Sequence, residues 1–161
     1  MEIISKNTEE TRDIAKNFLQ NLEQPNKKAL VVGLHGNLGS GKTTFVQFVA
    51  EALGIKGNIT SPTFVIEKIY PVKFRQRRTR FNGASKIENR EWPKKLIHID
   101  AYRLQKGEEL RVLGFEEILN DSGNLVLIEW PENVLSALPK EILKMEFEFV
   151  DENTRRIQII K

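Results

Sequence analysis

Cysteine is missing from all 161 positions. That excludes a disulfide framework, a thiolate zinc site and a cysteine nucleophile, and it suits a reducing compartment. Histidine is nearly as scarce, with only His35 and His98, too few for a histidine-rich metal cage. No run of eighteen apolar residues occurs, and Met1-Glu-Ile-Ile-Ser5 has neither the basic flank nor the apolar core of a signal peptide. The expectation is a cytoplasmic protein without membrane contact. Internal repeats and low-complexity tracts are absent as well. What remains is 40% hydrophobic and 29% charged, enough apolar material for one domain spanning residues 1–161 to bury its own core.

The positive charge is local. Between Lys73 and Lys95 nine cations stand against Glu88 and Glu91, a net of +7, whereas the whole chain carries +3. A mildly acidic domain therefore carries one basic insertion, at about residues 72–95. Its cations suit phosphate, and Phe74, Phe81 and Trp92 are interleaved as stacking side chains for unpaired bases. The competing reading is a solvated loop or a surface for an acidic protein. Asn82-Gly83 inside it is a turn signal.

Apolar runs alternate with amphipathic stretches, which predicts an α/β fold. Glu2–Ser5 reads as a short strand. Asn7 reads as an N-cap, with Glu10 three residues on and Ile14, Phe18 and Leu22 along one helical face. Ala29–His35 is a continuous apolar run of the buried-strand kind. Phe45, Phe48, Val49 and Ala52 mark a helix that closes at Gly54. Thr63–Tyr70 reads as a strand ended by Pro71, and Leu96–Asp100 as another. Gly107–Asn120 predicts one or two short helices around Gly114. Asn124–Trp130 is a further apolar strand, with Pro131 opening a short helix. Glu141–Val150 and Arg155–Ile160 predict a hairpin turning at Asp151–Thr154.

Between the buried strand and its helix stands Gly36-Asn-Leu-Gly-Ser-Gly-Lys-Thr43, which satisfies G-x-x-x-x-G-K-[ST]. Glycines let a backbone wrap a phosphate, because they accept positive φ and carry no Cβ. Amide N–H groups and the helix N-terminus then face the anion. Lys42 would reach the outer phosphates and the Thr43 hydroxyl would ligate Mg²⁺. Such a site needs a carboxylate from a neighbouring strand. Asp100 ends Leu96-Ile-His-Ile99 and Glu129 ends Leu125-Val-Leu-Ile128; in a parallel sheet both face the phosphate edge. Thr60-Ser-Pro-Thr63 is a hydroxyl cluster that reads either as a switch segment or as a capped turn. No Asn-Lys-x-Asp occurs, which disfavours the common guanine pocket and makes ATP the default nucleotide.

Five motifs occur in order: Gly36–Phe45 (GNLGSGKTTF), Ser61-Pro-Thr-Phe64, His98-Ile-Asp-Ala-Tyr-Arg-Leu104, Leu113-Gly-Phe-Glu-Glu117 and Ile128-Glu-Trp-Pro-Glu132. Together they resemble the TsaE family, the P-loop ATPases of tRNA threonylcarbamoyladenosine formation. The resemblance implies a three-layer P-loop NTPase-like fold with a mixed, mostly parallel central sheet and a C-terminal β-hairpin. It implies work beside TsaD and TsaB homologues, hydrolysing ATP without transferring the threonylcarbamoyl group. It implies that Thr43 and Glu129 ligate Mg²⁺ and that Asp100, with Lys42 and Thr63, serves hydrolysis. Nucleotide contacts are implied for Thr11, for Gly36, Asn37, Leu38, Gly39, Ser40, Gly41, Lys42, Thr43 and Thr44 of the loop, and for Trp130. The sequence departs from the family pattern at Asp100-Ala-Tyr-Arg103, where the family has Asp-Leu-Tyr-Arg, and in the longer, more basic connection at 72–95.

Individual residues keep two readings. Asp100 orients the attacking water or stands behind the metal ligands. Arg103 meets transition-state charge or is an exposed salt-bridging arginine. Trp130 sits on the nucleotide face or is an ordinary partly buried tryptophan. His98, between Ile97 and Ile99, reads as a strand-face polar residue rather than a proton-transfer group. Two other functions fit a phosphate-binding loop: a small-molecule kinase with the arginine-rich segment as its lid, or an adaptor that holds ATP without hydrolysing it.

Overall fold

The structure is a computed structural model that describes residues 1–57, 59–60, 62, 65–73, 77–81, 84–88 and 91–160, with 77–81 and 84–88 described by their backbone alone. The order is β1 (Glu2–Ser5), α1 (Thr8–Gln20), β2 (Leu30–His35), α2 (Lys42–Ala52), β3 (Glu67–Pro71), β4 (Arg77–Phe81), β5 (Ala84–Glu88), β6 (Lys95–Asp100), α3 (Gly107–Val112), α4 (Phe115–Leu119), β7 (Asn124–Glu129), a 3₁₀ stretch at Pro131–Ala137, β8 (Leu143–Phe149) and β9 (Arg155–Ile160). Seven strands form one mixed sheet in the order β1-β9-β8-β2-β7-β6-β3. The middle four, β8, β2, β7 and β6, run parallel; β9 and β1 on one side and β3 on the other pair antiparallel.

This arrangement follows from the residues. Every position of β7 is buried, and its apolar run Leu125–Ile128 must be covered on both faces of the sheet. One face of the sheet packs Val32, Leu34, Leu125 and Leu127 against Phe18 of α1 and Phe45 and Val49 of α2. The other packs Val31, Ile97, Val126 and Ile128 against Leu110 of α3, Phe115 of α4 and Val134 of the 3₁₀ stretch. The result is the three layers of helix, sheet and helix. Phe45 sits at the centre of the first layer contact, edge-on to Phe18 at 5.5 Å and to Phe147 at 5.3 Å.

Local signals act as the spacing predicts. Asn7 Oδ1 accepts the Glu10 amide at 2.9 Å, and the Glu10 carboxylate accepts the Lys6 amide at 2.7 Å, closing the start of α1. Gly114, at φ 83°, splits α3 from α4. Asp151 Oδ1 accepts the amides of Asn153 and Thr154, which turns β8 into β9.

Four expectations change. The strand predicted from Thr63 begins only at Glu67, because the amides of Val65 and Ile66 both donate back to the Pro62 carbonyl and Ile66 takes φ 67°. Residues 63 and 64 lie outside the described residues. Pro71 is the last residue of β3 rather than the one after it; on an edge strand its missing N–H leaves no ladder bond unmade. The basic insertion contains a two-stranded antiparallel ribbon, paired from Arg77 with Glu88 to Phe81 with Ala84; the Asn82-Gly83 pair and Phe74 lie outside the described residues, and Phe81 is described by its backbone alone. Trp92 is no stacking surface for bases, since it is 4% exposed and its indole N–H donates to the Ser122 carbonyl at 2.9 Å. Among the described residues no helix is long and apolar enough to cross a membrane.

Candidate functional site

Parallel strands deliver their C-termini to one edge, and there β2 ends at His35, β6 at Asp100 and β7 at Glu129. Asp100 lies directly opposite Glu129 in the ladder, and Leu34 opposite Glu129 on its other side. The Gly36–Thr43 loop leaves β2 at this edge and opens α2. Gly36 sits at φ 132°, and a Cβ there would stand 2.2 Å from the Phe147 carbonyl oxygen, which is backbone and cannot yield. Gly41 caps α2 in the left-handed region, at φ 103°. These two positions require glycine, for space at the first and for conformation at the second.

Inside the loop, the Lys42 ammonium donates to the carbonyls of Gly36 at 2.6 Å and Asn37 at 3.0 Å and lies 4.2 Å from the centre of the Trp130 ring. Burial holds its pKa below the usual lysine value, opposed by the charges of Glu129, Glu132 and Asp100. Ser40 is fully buried, and its hydroxyl has no hydrogen-bond partner among the described residues. A loop closed to a Cβ at Gly36, an unpartnered buried hydroxyl and a desolvated cation fit a phosphate anion.

The Thr43 hydroxyl donates to Glu129 at 2.9 Å from Oε1 and 3.0 Å from Oε2. Both are hard oxygen donors. Among the described residues no three histidine, cysteine or carboxylate side chains gather to hold an ion. One hydroxyl and one carboxylate suit Mg²⁺, which takes few protein ligands and fills its octahedron with phosphate and water oxygens. Glu129 also meets His98, whose Nε2 lies 2.8 Å from Oε1 in a fully buried contact. Asp100 is 4% exposed, and its Oδ1 accepts the Tyr102 amide at 3.0 Å.

These groups share one cavity of about 440 Å³. Of the predicted residues, Thr11, Leu38, Gly39, Ser40, Gly41, Lys42, Thr43, Thr44, Asp100, Glu129 and Trp130 all line it. Gly36 and Asn37 stand behind the wall and meet the site through their carbonyls. Thr11 is buried, with its hydroxyl 2.7 Å from that of Ser5. Trp130 adopts φ 58° and ψ 48° at the start of the 3₁₀ stretch, and its ring centre lies 5.2 Å from that of Tyr102. Ser61 and Thr63 lie outside the described residues. Arg103 is exposed and does not line the cavity.

Several wall residues were not among the predicted site residues. Asn7 and Thr8 come from the cap of α1, Tyr102 from the residue pair after Asp100, and Phe147, Glu152, Asn153 and Arg155 from the C-terminal hairpin. The Arg155 guanidinium lies 4.5 Å from the centre of the Phe149 ring and donates to the Asp151 carbonyl at 2.7 Å. In the sequence these residues read only as the turn and second strand of a hairpin. They reach the cavity because β8 runs parallel to β2, so the β8–β9 turn emerges at the edge where the phosphate loop stands. His98 was readable only as a polar residue in an apolar strand; its partner lies 31 residues away.

A family model described as "Threonylcarbamoyl adenosine biosynthesis protein TsaE" matches residues 5–157. The chain is similar to proteins named tRNA threonylcarbamoyladenosine biosynthesis protein TsaE from several bacteria. That of Rickettsia felis is 38% identical over 159 residues, covering 98% of this chain and 78% of the relative. That of Rickettsia prowazekii is 37% identical over 153 residues, covering 94% and 89%. That of Haemophilus influenzae is 31% identical over 134 residues, covering 83% and 72%. Among solved structures, Bacillus subtilis YdiB superposes with a TM-score of 0.67 at 28% identity, covering 99% of this chain and 83% of that one.

Proposed function

The chain belongs to the TsaE family of tRNA threonylcarbamoyladenosine biosynthesis, and from that premise we propose that it is the Mg²⁺-dependent ATP-binding and ATP-hydrolysing component of the modification system. It works with TsaD and TsaB homologues in the cytoplasm and does not transfer the threonylcarbamoyl group itself. One observation carries the reading: Thr43 and Glu129, 86 residues apart, meet at hydrogen-bond distance in the cavity that also holds the phosphate-loop lysine and Asp100.

The roles follow from position. The loop amides and the Lys42 ammonium bind the phosphate tail, for which Lys42 exchanges its carbonyl partners. Thr43 and Glu129 would hold Mg²⁺, which when bound neutralises charge on the phosphate oxygens. Asp100 faces the same space one strand over and orients a water as hydrogen-bond acceptor. That water attacks the terminal phosphorus, the bond to the bridging oxygen breaks, and ADP and inorganic phosphate leave with the proton released. Thr11 and the hairpin residues would hold the nucleoside. The basic insertion would contact tRNA phosphates through its nine cations.

Calorimetry with Mg·ATP and Mg·ADP tests the first step, and phosphate release with and without TsaD, TsaB and substrate tRNA tests the rest. Binding together with partner-stimulated release is expected; no heat at millimolar nucleotide would overturn the reading. Deleting residues 74–92 should weaken salt-sensitive association with tRNA or the partners, and unchanged association would remove the insertion from the account.

A further inference from the structure

We propose that His98 is the positioning residue for Glu129, and that its Nε2–H decides which carboxylate oxygen is presented to Mg²⁺. The inference rests on the reading of Thr43 and Glu129 as the metal pair and adds to it a residue from another strand.

The starting point is an anomaly of burial. β6 is buried at every position from Leu96 to Asp100, and His98 is 0% exposed among Leu96, Ile97 and Ile99. Its Nδ1 is buried and has no hydrogen-bond partner among the described residues. An unpaired polar atom in such a place is destabilising, so the imidazole is an unfavourable choice for filling space that a leucine would fill. What it gains is the 2.8 Å contact from Nε2 to Glu129 Oε1.

The ladder explains how they meet. His98 pairs with Leu127 across β6 and β7, so Glu129, two residues further on, projects from the same face. α2 covers that face, and Thr43 in its first turn arrives over Glu129. A carboxylate only accepts, so His98 Nε2 carries the proton of this contact. Oε1 thereby receives the imidazole N–H at 2.8 Å and the Thr43 hydroxyl at 2.9 Å, whereas among the described residues Oε2 is approached by Thr43 alone, at 3.0 Å. The imidazole holds Oε1 and leaves Oε2 as the oxygen free to turn toward an ion. A carboxylate ligand pinned in this way has less rotational freedom to lose when the metal binds.

The test compares ADP affinity in Mg²⁺ with ADP affinity in EDTA, by calorimetry on the whole chain. In His98→Leu the Mg²⁺-dependent gain should fall about 10- to 100-fold, the range for loss of a partner behind a metal ligand, with the EDTA affinity held within about twofold. In His98→Gln, whose amide nitrogen reaches the ε position, most of the gain should return; in His98→Asn, whose amide stops at the δ position, it should not. Mn²⁺ titration followed by electron paramagnetic resonance should rank the variants in the same order. A His98→Leu variant with the wild-type gain overturns the proposal, and so does a parallel loss in Mg²⁺ and EDTA, which marks a packing role. If His98→Leu does not fold, equal Mg²⁺ gains in the Gln and Asn variants overturn it instead. Wild-type protein showing no Mg²⁺-dependent gain sinks the metal pair itself, an outcome separate from all of these.

Discussion

The two parts of the cavity wall are built on different principles. In the glycine loop, Gly36 to Thr43 are contiguous in the chain, Ser40 and Lys42 are buried, and the backbone is held by left-handed glycines. In the rest of the wall, Thr8 and Thr11 of α1, Phe147 of β8 and Asn153 and Arg155 of the hairpin converge from opposite ends of the sequence, with Phe147 against Gly36 and Arg155 beside Gly41. Glu152 and Asn153 there are exposed, and Arg155 is half-buried. The proposed anion grip needs close-spaced amides and tolerates little movement, which fits its local encoding. The proposed nucleoside contact needs only a shaped wall, which elements distant in sequence supply once the sheet has brought them together. Alteration of the first part should therefore cost far more than alteration of the second.

Asp100→Ala is the most damaging change expected for chemistry: phosphate release in the presence of partners should drop roughly 10²- to 10⁴-fold, as for loss of a positioned proton acceptor, while Mg·ATP affinity stays near wild type. A variant that hydrolyses normally would remove Asp100 from its role and leave only the binding half of the comparison. Next in size is Lys42→Ala, for which nucleotide affinity should fall by about 2–5 kcal/mol, the cost of truncating one partner of a buried charged contact, read by calorimetry. Arg155→Ala should cost less, about 0.5–1.5 kcal/mol of affinity for an ordinary hydrogen bond, with hydrolysis per bound nucleotide unchanged. Equal losses from Lys42→Ala and Arg155→Ala would break the contrast between the two parts.

The smallest effect is expected away from both parts. Burial raises the pKa of Glu67 on β3, and its Oε2 has no hydrogen-bond partner among the described residues. The folded state then holds its proton more tightly than the unfolded chain, so this carboxyl lowers stability as pH rises above the ordinary glutamate range. Glu67→Gln should raise the melting temperature at pH 7, leave it unchanged near pH 4, and not affect nucleotide affinity. A shift of the same size at both pH values would show that ionisation is not the cause.

Much of this was legible beforehand, and particular residues show why. Ala29–His35 followed by the glycine loop and an amphipathic helix is a local unit, and it folds as β2, loop and α2 as its pattern requires. Asp100 and Glu129 were readable because each ends an apolar strand of a parallel sheet, whose geometry sends both to one edge. The start of β3 was not readable: the Pro62 carbonyl captures two following amides, and nothing in a period-two pattern signals such a turn. Trp92 resembled a stacking side chain because its neighbours are basic, yet it is buried beside Ser122, which only the folded chain brings near. Tyr102 followed a readable aspartate, but its contact with Trp130 crosses two strands.

Residue order and side-chain chemistry alone were enough to specify the phosphate loop, the class of fold, and which carboxylates close the strands, because each depends on φ preferences and hydrophobic periodicity within a few residues. Strand pairing decided the rest: that β8 lies parallel to β2 and carries its turn to the cavity, and that His98 of β6 stands behind Glu129 of β7. Those contacts join groups tens of residues apart, and the free energy that selects them is the shared burial of both faces of the sheet, a property of the assembled layers rather than of any one segment.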